Sequence, residues 1–379
     1  MSWPLVKLGT LVAIKTGRLD ANAADDEGIY PFFTCSRAPL RINTHAFDCD
    51  AILIAGNGDL NVKHYSGKFN AYQRTYVVTS LLDEILDTRY LFYFMDKYVE
   101  RLRELSIGGV IKYIKLGMLT DAEIPLPPLS EQKRIAAILD KADAIGRKRQ
   151  QAIQLADDFL RAVFLDMFGD PVTNPKGWEV KLLKDLSLKI HSGNTPKGGK
   201  ENYVESGVVF LRSQNVWKRK IILDDVAYID AATHRKMAGS SLRHQDILMT
   251  KTGRFNTENS SLGRAAMFFG EDNSANVNGH VYLIRLGGKV DKKFVLFILT
   301  MPEYYEYIRS VCVGGIDKRQ LNKEHLESFP IIFPSADMQR RFSEILDVVD
   351  SAKAQAANAL LSAEMMFDAL SQKAFSGQL

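Results

Sequence analysis

Two short segments near the middle of the chain have residue types and spacing that could support chemistry. Residues 193–200 are rich in glycine and lysine, as phosphate-binding loops are, but they depart from the GxxxxGK[ST] spacing and Glu201 replaces the required hydroxyl. Residues 179–181 have the Glu-x-Lys spacing of a metal-dependent nuclease, which also needs a second carboxylate to hold its cation. Asp170 and Asp185 are the nearest candidates. Neither pattern is complete, so we expect neither an ATP site nor a nuclease site.

Other groups that could carry chemistry are sparse. Cys35, His45 and Cys49 are irregularly spaced and have no obvious fourth ligand, so they do not predict a metal site. The pair Pro127-Pro128 lies between leucines and lacks the flanking residues of an amino-methyltransferase motif. No HExxH segment or nucleophile elbow occurs. We therefore expect no catalytic residue, no bound metal and no enzymatic activity of the isolated chain.

Polar and cationic residues suited to DNA recognition lie on glycine-containing segments of both halves of the chain. Amide and guanidinium groups can read base edges, and cations can contact phosphates. The net charge of +4 is only a mild excess, so the prediction depends on these groups sharing a surface. The candidates are Asn57, Lys63, His64, Gln73, Arg74, Lys112, Lys115, Lys197, Lys200, Arg212, Gln214, Asn215, Lys251, Arg254, Asn256, Asn278, His280 and Lys318.

The composition is typical of a globular cytoplasmic protein. The chain has 379 residues, of which 46% are hydrophobic and 25% charged. No run approaches the ~20 apolar residues of a membrane helix, and the first residues lack the order of a signal peptide. Three cysteines, none in a CxxC pair, are expected in a reducing compartment. The length suits two or three domains.

Four segments of the first half recur in the same order in the second half. The matched pairs are Trp3 with Trp178, residues 89–94 with 293–298, Gly108-Gly109 with Gly314-Gly315, and residues 132–143 with 339–350. Their offsets are 175, 204, 206 and 207, so the repeated unit varies in length early and is nearly constant towards its end. Four matches in one order indicate an internal duplication.

Each repeat ends in a long amphipathic helix. Apolar residues recur at alternating steps of three and four over several heptads, which predicts two helices packed as a coiled coil. Ser130 is the expected N-cap of the first helix, and Pro334 with Ser335 marks the start of the second. The residues expected at the helix–helix interface are Ile135, Ile138, Ile145, Phe159, Val163, Phe342, Ile345, Val349, Met366 and Leu370, with Leu139, Ile153, Leu160, Met167, Leu346, Leu360 and Phe367 in a supporting line.

Between these helices the sequence predicts mixed α/β (α+β) domains, with short β-type runs and one aromatic-rich helix in each. The predicted order is a first domain in residues 1–128, a first helix in 129–169, a second domain in 170–335 and a second helix in 336–379. The alternative is one large domain with two core helices. The proline-rich segment before each helix and the charged helix faces favour separate domains.

Two segments carry a resemblance to a known family. Residues 125–136 (PLPPLSEQKRIA) are similar to the junction between a target-recognition domain and a conserved helix in type I restriction–modification specificity subunits. Residues 192–196 and 210–216 resemble the opening of a recognition domain in that family. The second junction, residues 333–339, lacks the Glu before Gln, and the first domain's opening departs from the Ser-Gly-Thr-Pro pattern. The resemblance covers the whole chain in order.

The resemblance implies an architecture and a set of partners. Two pseudo-symmetric target-recognition domains would be separated by two long antiparallel coiled-coil helices. Each domain would read one half of a bipartite, asymmetric target in double-stranded DNA, and the helices would set the spacer and dock methyltransferase subunits. Motor–nuclease subunits would then join, and S-adenosylmethionine, ATP and Mg²⁺ would be bound by these partners. The alternatives are a stand-alone DNA-modifying enzyme and a coiled-coil scaffold that does not bind DNA.

Overall fold

The computed structural model describes residues 3–257 and 259–379. The chain forms two compact units. The first unit comprises Met1–Ala152 and Gln355–Leu379, and the second comprises Ile153–Ala354. Both long helices continue from one unit into the other, so each unit contains a part of each helix.

The first unit is built mainly from strands that precede its helices. Its strands are β1 (Leu5–Lys7), β2 (Val12–Thr16), β3 (Tyr30–Phe33), β4 (Leu40–Ile42), β5 (Phe47–Ala55), β6 (Val62–Ala71), β7 (Thr75–Ser80) and β8 (Glu123–Pro125). Its helices are α1 (Thr88–Leu105), α2 (Leu116–Thr120), the first part of α3 (Leu129–Phe168) and the last part of the second long helix (Ala336–Ser376).

Six of these strands form one sheet in the order β2-β7-β5-β6-β3-β4, and β1 pairs with β8. All neighbours are antiparallel except β3 and β6. Because side chains alternate along a strand, Ile52 and Ile54 pack with Leu91 and Met95 of α1, whereas Leu53 packs with the core on the other face. The central strands are therefore buried on both faces, which explains their continuous apolar run.

The second unit divides its strands among several small sheets. Its strands are β9 (Val180–Leu182), β10 (Ser187–Ser192), β11 (Tyr203–Val204), β12 (Val208–Leu211), β13 (Ala227–Ile229), β14 (Ile247–Thr250), β15 (Thr252–Arg254), β16 (Ala265–Met267), β17 (Ala275–Val277), β18 (Val281–Leu286), β19 (Val313–Gly314), β20 (Lys318–Gln320) and β21 (Pro330–Ile332). Its helices are the last part of α3, α4 (Leu183–Leu186), α5 (Ala231–Lys236), α6 (Lys292–Thr300), α7 (Pro302–Val311), α8 (Lys323–Glu327) and the first part of α9 (Ala336–Ser376). The sheets have the orders β10-β18-β14-β16, β11-β13-β12-β17, β15-β20-β19 and β21-β9.

The backbone is paired in the same way at one edge of both units. The Leu8 N–H donates to the Ala122 carbonyl at 2.8 Å, and the Leu183 N–H donates to the Phe329 carbonyl at 2.9 Å. β1 with β8 and β9 with β21 form the adjoining antiparallel pairs. These positions are related by the offsets 175 and 207 that relate the two halves of the sequence. The duplication is therefore present in the structure as well as in the sequence.

A buried glutamine at the start of each long helix makes a second shared feature. Gln132 and Gln339 are 0% and 1% exposed. Their Oε1 atoms accept hydrogen bonds from the backbone N–H of Asp87 at 2.9 Å and Asp291 at 3.0 Å, and their Nε2 atoms donate to the carbonyl five residues earlier at 2.8 Å. Asp87 and Asp291 also N-cap α1 and α6. Each glutamine thus ties the long helix to the capped helix of its own unit.

The two long helices occur as predicted, with one difference at a start. α9 begins at Ala336, and the Ser335 hydroxyl accepts from the Met338 N–H at 3.4 Å, as an N-cap does. α3 begins at Leu129, where the Glu131 N–H donates to the Pro128 carbonyl at 2.9 Å. Ser130 therefore lies inside the first turn, so the prediction that it is the N-cap was wrong by two residues.

The helices run antiparallel within each unit. In the first unit Ile135 and Leu139 of α3 pack near Ala374 of α9, while Arg149 donates a hydrogen bond to the Ala359 carbonyl. Later residues of α3 therefore meet earlier residues of α9. In the second unit the core joins Leu160, Phe164 and Phe168 of α3 with Phe342 and Leu346 of α9, and Lys353 pairs with Asp157.

The buried face of each helix differs from the predicted coiled-coil interface. Ile135 and Phe342 are fully buried, and Ile138, Val163, Ile345, Val349 and Leu370 are partly buried. Ile145, Phe159 and Met366 are 40%, 52% and 43% exposed, so their placement in the interface was wrong. Of the supporting residues, Leu139, Leu160 and Leu346 are buried, and Ile153, Met167, Leu360 and Phe367 are partly buried. The reason is that each helix packs on the core of its unit as well as on its partner helix, which shifts the buried face away from a strict heptad interface.

Candidate nucleic-acid interface

Three separate segments of the first unit meet at the turn that follows β5. The Gly56 N–H donates to the Arg74 carbonyl at 2.8 Å, and the Gly58 N–H donates to the Lys112 carbonyl at 3.0 Å. A Cβ atom at Gly56 would lie 2.3 Å from the Arg74 oxygen, so only glycine allows this approach. The result brings the candidate residues Asn57, Arg74 and Lys112 together, although they are far apart in the sequence.

The second unit makes a similar arrangement with different residues. β15 pairs with β20 so that Arg254 lies opposite Lys318. The Lys251 N–H donates to the His280 carbonyl at 2.9 Å, which adds the segment before β18. Arg254, His280 and Lys318 are exposed. Exposed basic side chains therefore gather where three segments meet, as in the first unit, with the carboxylate of Asp317 beside Arg254.

Two lysines of the predicted set, Lys63 and Lys251, make side-chain contacts within the protein. Lys63 donates to the Asn61 Oδ1 atom, and burial lowers the pKa of its ammonium group. Lys251 donates to the Ser192 hydroxyl and lies 4.4 Å from the ring centroid of Tyr282; burial lowers its pKa too. Both act as internal contacts that support the surface.

His64 belongs to a partly exposed network of hydrogen bonds and ion pairs in the first unit. Its Nε2 atom lies 2.7 Å from Asp50 Oδ1, and its Nδ1 atom lies 3.3 Å from Arg89. Arg89 and the Tyr93 hydroxyl both donate to Asp140 at 2.6 Å. Burial by itself would raise the pKa of the Asp140 carboxyl, but these two hydrogen bonds outweigh it and lower the pKa. His64 is therefore a structural residue in this arrangement.

Several candidates of the second unit are bound internally. Arg212 and Gln214 both hold the Asp225 carboxylate, with Arg212 at 2.8 Å. Asn215 is 1% exposed and satisfies its amide within its own loop. Asn278 is also buried. The side chains of Asn215 and Asn278 do not reach the surface, so we remove them from the candidate interface.

The remaining candidates are exposed polar residues, some next to the segments that meet and some elsewhere. Gln73 lies beside Arg74 and donates to Asp20 at 3.2 Å. The others of this kind are Lys115, Lys197, Lys200 and Asn256. Their exposure permits contact with a ligand but does not by itself assign one.

The segments that could have carried chemistry form ordinary contacts. Glu179 lies 3.6 Å from Lys181, whose ammonium lies 3.7 Å from the Phe333 ring centroid. His45 packs against Tyr30 with their ring centroids 4.8 Å apart. Within residues 3–257 and 259–379, no three His, Cys, Asp or Glu side chains are grouped to hold a metal ion. In the same residues, no helix combines the length and apolarity needed to cross a membrane.

Sequence reasoning missed one kind of residue at both meeting points. Val110, Ile111 and Ile316 lie on the two Gly-Gly segments and are exposed. The sequence contained a signal for them, because in each half an aliphatic residue and then a lysine follow the glycine pair.

A family model for the type I restriction modification DNA specificity domain matches residues 2–155 and 175–362. The chain belongs to this DNA-specificity family. The two matched ranges correspond to the two copies of the internal repeat, each including part of a long helix.

Curated relatives of the chain are specificity subunits. The type I restriction enzyme EcoDI specificity subunit of Escherichia coli is 42% identical over 167 residues, which are 43% of this chain and 37% of that protein. The MjaVIII specificity subunit of Methanocaldococcus jannaschii is 25% identical over 373 residues, which are 92% of this chain and 86% of that protein. One relative is thus similar over less than half of its length and the other over most of it.

A solved structure shows the same fold. The type I restriction–modification S subunit from M. genitalium aligns with a TM-score of 0.62 and 18% identity, covering 99% of this chain and 96% of that one. The predicted family and the α+β fold class are confirmed by these findings.

Proposed function

We propose that each unit of this DNA-specificity chain reads one half of a bipartite, asymmetric DNA target. One observation carries the proposal: in both units, backbone hydrogen bonds bring a Gly-Gly segment and an arginine-bearing segment to one exposed surface. In the first unit the segments supply Arg74 and Lys112, and in the second Arg254 and Lys318. Cations contact phosphates and position a protein on DNA, while neighbouring amide and guanidinium groups read bases.

The target is asymmetric because the two surfaces differ in sequence and in framework. The first surface lies at the end of a β5–β6 hairpin in a six-stranded sheet, and the second lies on a three-stranded sheet. Different side chains at equivalent places present different hydrogen-bonding groups, so the two half-sites differ.

We assign the recognition domains to residues 1–128 and 170–335 and the spacer elements to the helices, residues 129–169 and 336–379. The helices set the distance between the two half-sites. The helices also provide docking surfaces for methyltransferase subunits. This is supported by large apolar side chains left at the surface of α3 and α9, since exposed apolar groups that adjoin one another, as residues four apart on a helix do, mark protein interfaces. These are Ile145, Leu155, Phe159, Val348, Leu361, Met365 and Met366.

The chain contributes recognition and no catalysis to the complex. S-adenosylmethionine, ATP and Mg²⁺ are bound by the methyltransferase and motor–nuclease subunits, and the complex works in the cytoplasm. The purified chain should neither methylate nor cut DNA. Methylation or cleavage by the pure chain that Glu179→Ala abolishes would instead support a stand-alone enzyme.

Domain exchange tests the assignment of one half-site to each domain. Replacing residues 1–128 with the first domain of another family member should change one half of the methylated target and leave the other half intact. Methylome sequencing of cells that carry the exchanged chain with its methyltransferase measures this. Changes in both halves would contradict the modular assignment.

A heptad insertion tests the helices as a spacer. Seven residues added at matched positions of α3 and α9 lengthen each helix by about 10 Å, which is roughly 3 base pairs of DNA. The spacer of the methylated target should lengthen, and both half-sites should be unchanged. An insertion of seven residues in an exposed loop is the matched control, and a constant spacer in the helix variant would disprove the assignment.

A further inference from the structure

Each Gly-Gly segment carries aliphatic side chains that project into solvent. Val110 and Ile111 follow Gly108-Gly109 and are 103% and 63% exposed, and Ile316 follows Gly314-Gly315 and is 88% exposed. We call these three side chains the apolar tips. Full exposure of one aliphatic residue needs no explanation. An exposed aliphatic residue nevertheless follows the Gly-Gly pair in both halves of the chain, although the segments between the matched parts of the repeat have diverged. This recurrence indicates a shared role.

The loop that carries the tip is held firmly in the first unit. Ile107 and Tyr113 exchange two backbone hydrogen bonds, at 3.0 and 2.9 Å, which close the loop around the tips. Gly108 has φ of 112°, and a Cβ atom there would lie 2.6 Å from the Ile111 carbonyl oxygen. Only glycine at position 108 therefore allows the loop to adopt this closed conformation.

The second unit closes its loop in the same manner. Gly314 lies opposite Arg319 in the β19–β20 pair, and the Gly315 N–H donates to the Lys318 carbonyl at 3.1 Å. Gly314 has φ of 139°, and a Cβ atom there would lie 2.6 Å from the same carbonyl oxygen. Two fixed loops thus present apolar side chains in a defined place, which lowers the entropic cost of binding through them.

Charged neighbours indicate what the tips contact. Lys112 and Lys318 lie one and two residues after the tips, and both are exposed. Arg254 lies opposite Lys318, and the acidic neighbour Asp317 lies 3.8 Å from Arg254. The centre of a protein–protein interface is depleted of lysine. A DNA duplex offers both parts of the complement: phosphates for the cations, and base edges, thymine methyl groups or base steps for the aliphatic side chains.

We propose that the apolar tips contact bases, with Val110 and Ile111 in one half-site and Ile316 in the other, and contribute to sequence discrimination there. The inference rests on the proposed function and adds to it a class of specificity residue that carries no charge. Lys112 and Lys318 contact phosphates and thereby position the neighbouring apolar tips against the bases.

The experiment starts with the full chain and a pool of random duplexes. Repeated selection yields the preferred sequence, and dissociation constants are then measured for that duplex and for a scrambled one at several salt concentrations. A chain that enriches no sequence contradicts the proposed function itself. Enrichment of a bipartite sequence supports the function and supplies the probe for the variants.

Two variants then address the tips. Ile316→Ala, and Val110→Ala with Ile111→Ala, should each bind the selected duplex roughly tenfold more weakly, the loss expected when an aliphatic contact of this size is removed. Binding to the scrambled duplex and the salt dependence should be unchanged because no charge is lost. Lys318→Ala should instead reduce the salt slope by about one, as expected for a phosphate contact. Leu188→Ala, at a residue 75% exposed on β10, is the matched control and should have no effect.

Reselection with each variant locates the contact. The preference should relax in one half-site for Ile316→Ala and in the other half-site for the Val110→Ala, Ile111→Ala chain. Unchanged affinity for the selected duplex would overturn the inference and leave the proposed function standing. Equal weakening on both duplexes would also overturn it, and so would loss of methyltransferase binding with unchanged DNA binding.

Discussion

The two units are most alike where their long helices begin and least alike where they present their candidate DNA surface. At the helix starts, Gln132 and Gln339 make the same two kinds of hydrogen bond, to the N–H of a helix-capping aspartate and to the carbonyl five residues earlier. At the surfaces, one unit uses a hairpin turn and the other a short three-stranded sheet. Exposed loops tolerate insertion and exchange, whereas a buried amide has to find its partners in place. A duplicated chain can therefore acquire two specificities on one shared framework.

The cores beneath the helices also differ. In the second unit Phe164 lies in an aromatic cluster, with ring centroids 5.8 Å from Phe294 and 5.2 Å from Phe342. In the first unit the position that matches Phe164 in the repeat is Ser371, which is 3% exposed. The same helix position thus carries much more buried apolar area in the second unit than in the first.

The largest expected effect on stability tests this difference. Phe164→Ala should destabilise the second unit by about 3–5 kcal/mol, because it leaves a cavity in a close-packed aromatic core. Ser371→Ala in the first unit should cost less than about 1 kcal/mol. Urea unfolding followed by circular dichroism measures both, with Phe159→Ala, at a residue 52% exposed, as the control. A larger loss of unfolding free energy for Phe159→Ala than for Phe164→Ala would contradict this packing and support the heptad interface that the sequence predicts.

The next largest effect on stability tests the buried glutamine that both helix starts share. Gln132→Ala and Gln339→Ala should each cost about 2–3 kcal/mol, because each leaves a buried N–H and a buried carbonyl without a partner. Hydrogen exchange of core amides reports the loss in each unit separately. Gln150→Ala on the exposed face of α3 serves as the control. If one glutamine were dispensable and the other essential, the two helix starts would not be equivalent.

The smallest effect compares the ion pairs beside the helices. Asp140 accepts from Arg89 and Tyr93 and is 41% exposed, whereas Asp347 pairs with Lys293 at 2.5 Å and is 56% exposed. Asp140→Asn should cost about 1 kcal/mol at neutral pH, reduced by solvent screening, and Asp347→Asn less than about 0.5 kcal/mol.

The pH dependence of Asp140→Asn follows from the lowered pKa of Asp140. A carboxyl with a lowered pKa in the folded state stabilises the protein above its ordinary pKa of 3.8 and loses that contribution as the pH falls below it. The difference in unfolding free energy between the wild type and Asp140→Asn should therefore shrink below about pH 4. A difference that grows as the pH falls would contradict the assigned direction.

The predictable part of the candidate interface was its location, and the unpredictable part was the exposure of its members. Asn215 and Arg254 both lie in polar segments near short apolar strands, and nothing in their sequence neighbours distinguishes them. Asn215 is buried because Arg212 and Asp225 fold the loop around its amide, whereas Arg254 lies on a strand at the edge of a sheet. Local sequence does not encode which partner a polar side chain finds.

By itself, the sequence determined the duplication, the two long helices and the family, because a repeat offset and a helical period can be read along one chain. The tertiary structure decided which helix residues are buried and which distant segments share a surface. Phe159 is exposed and Leu160 buried because the domain core, and not only the partner helix, covers α3. Gly58 and Lys112 become neighbours through a backbone hydrogen bond, and a backbone donor or acceptor does not specify in the sequence which distant residue it will pair with.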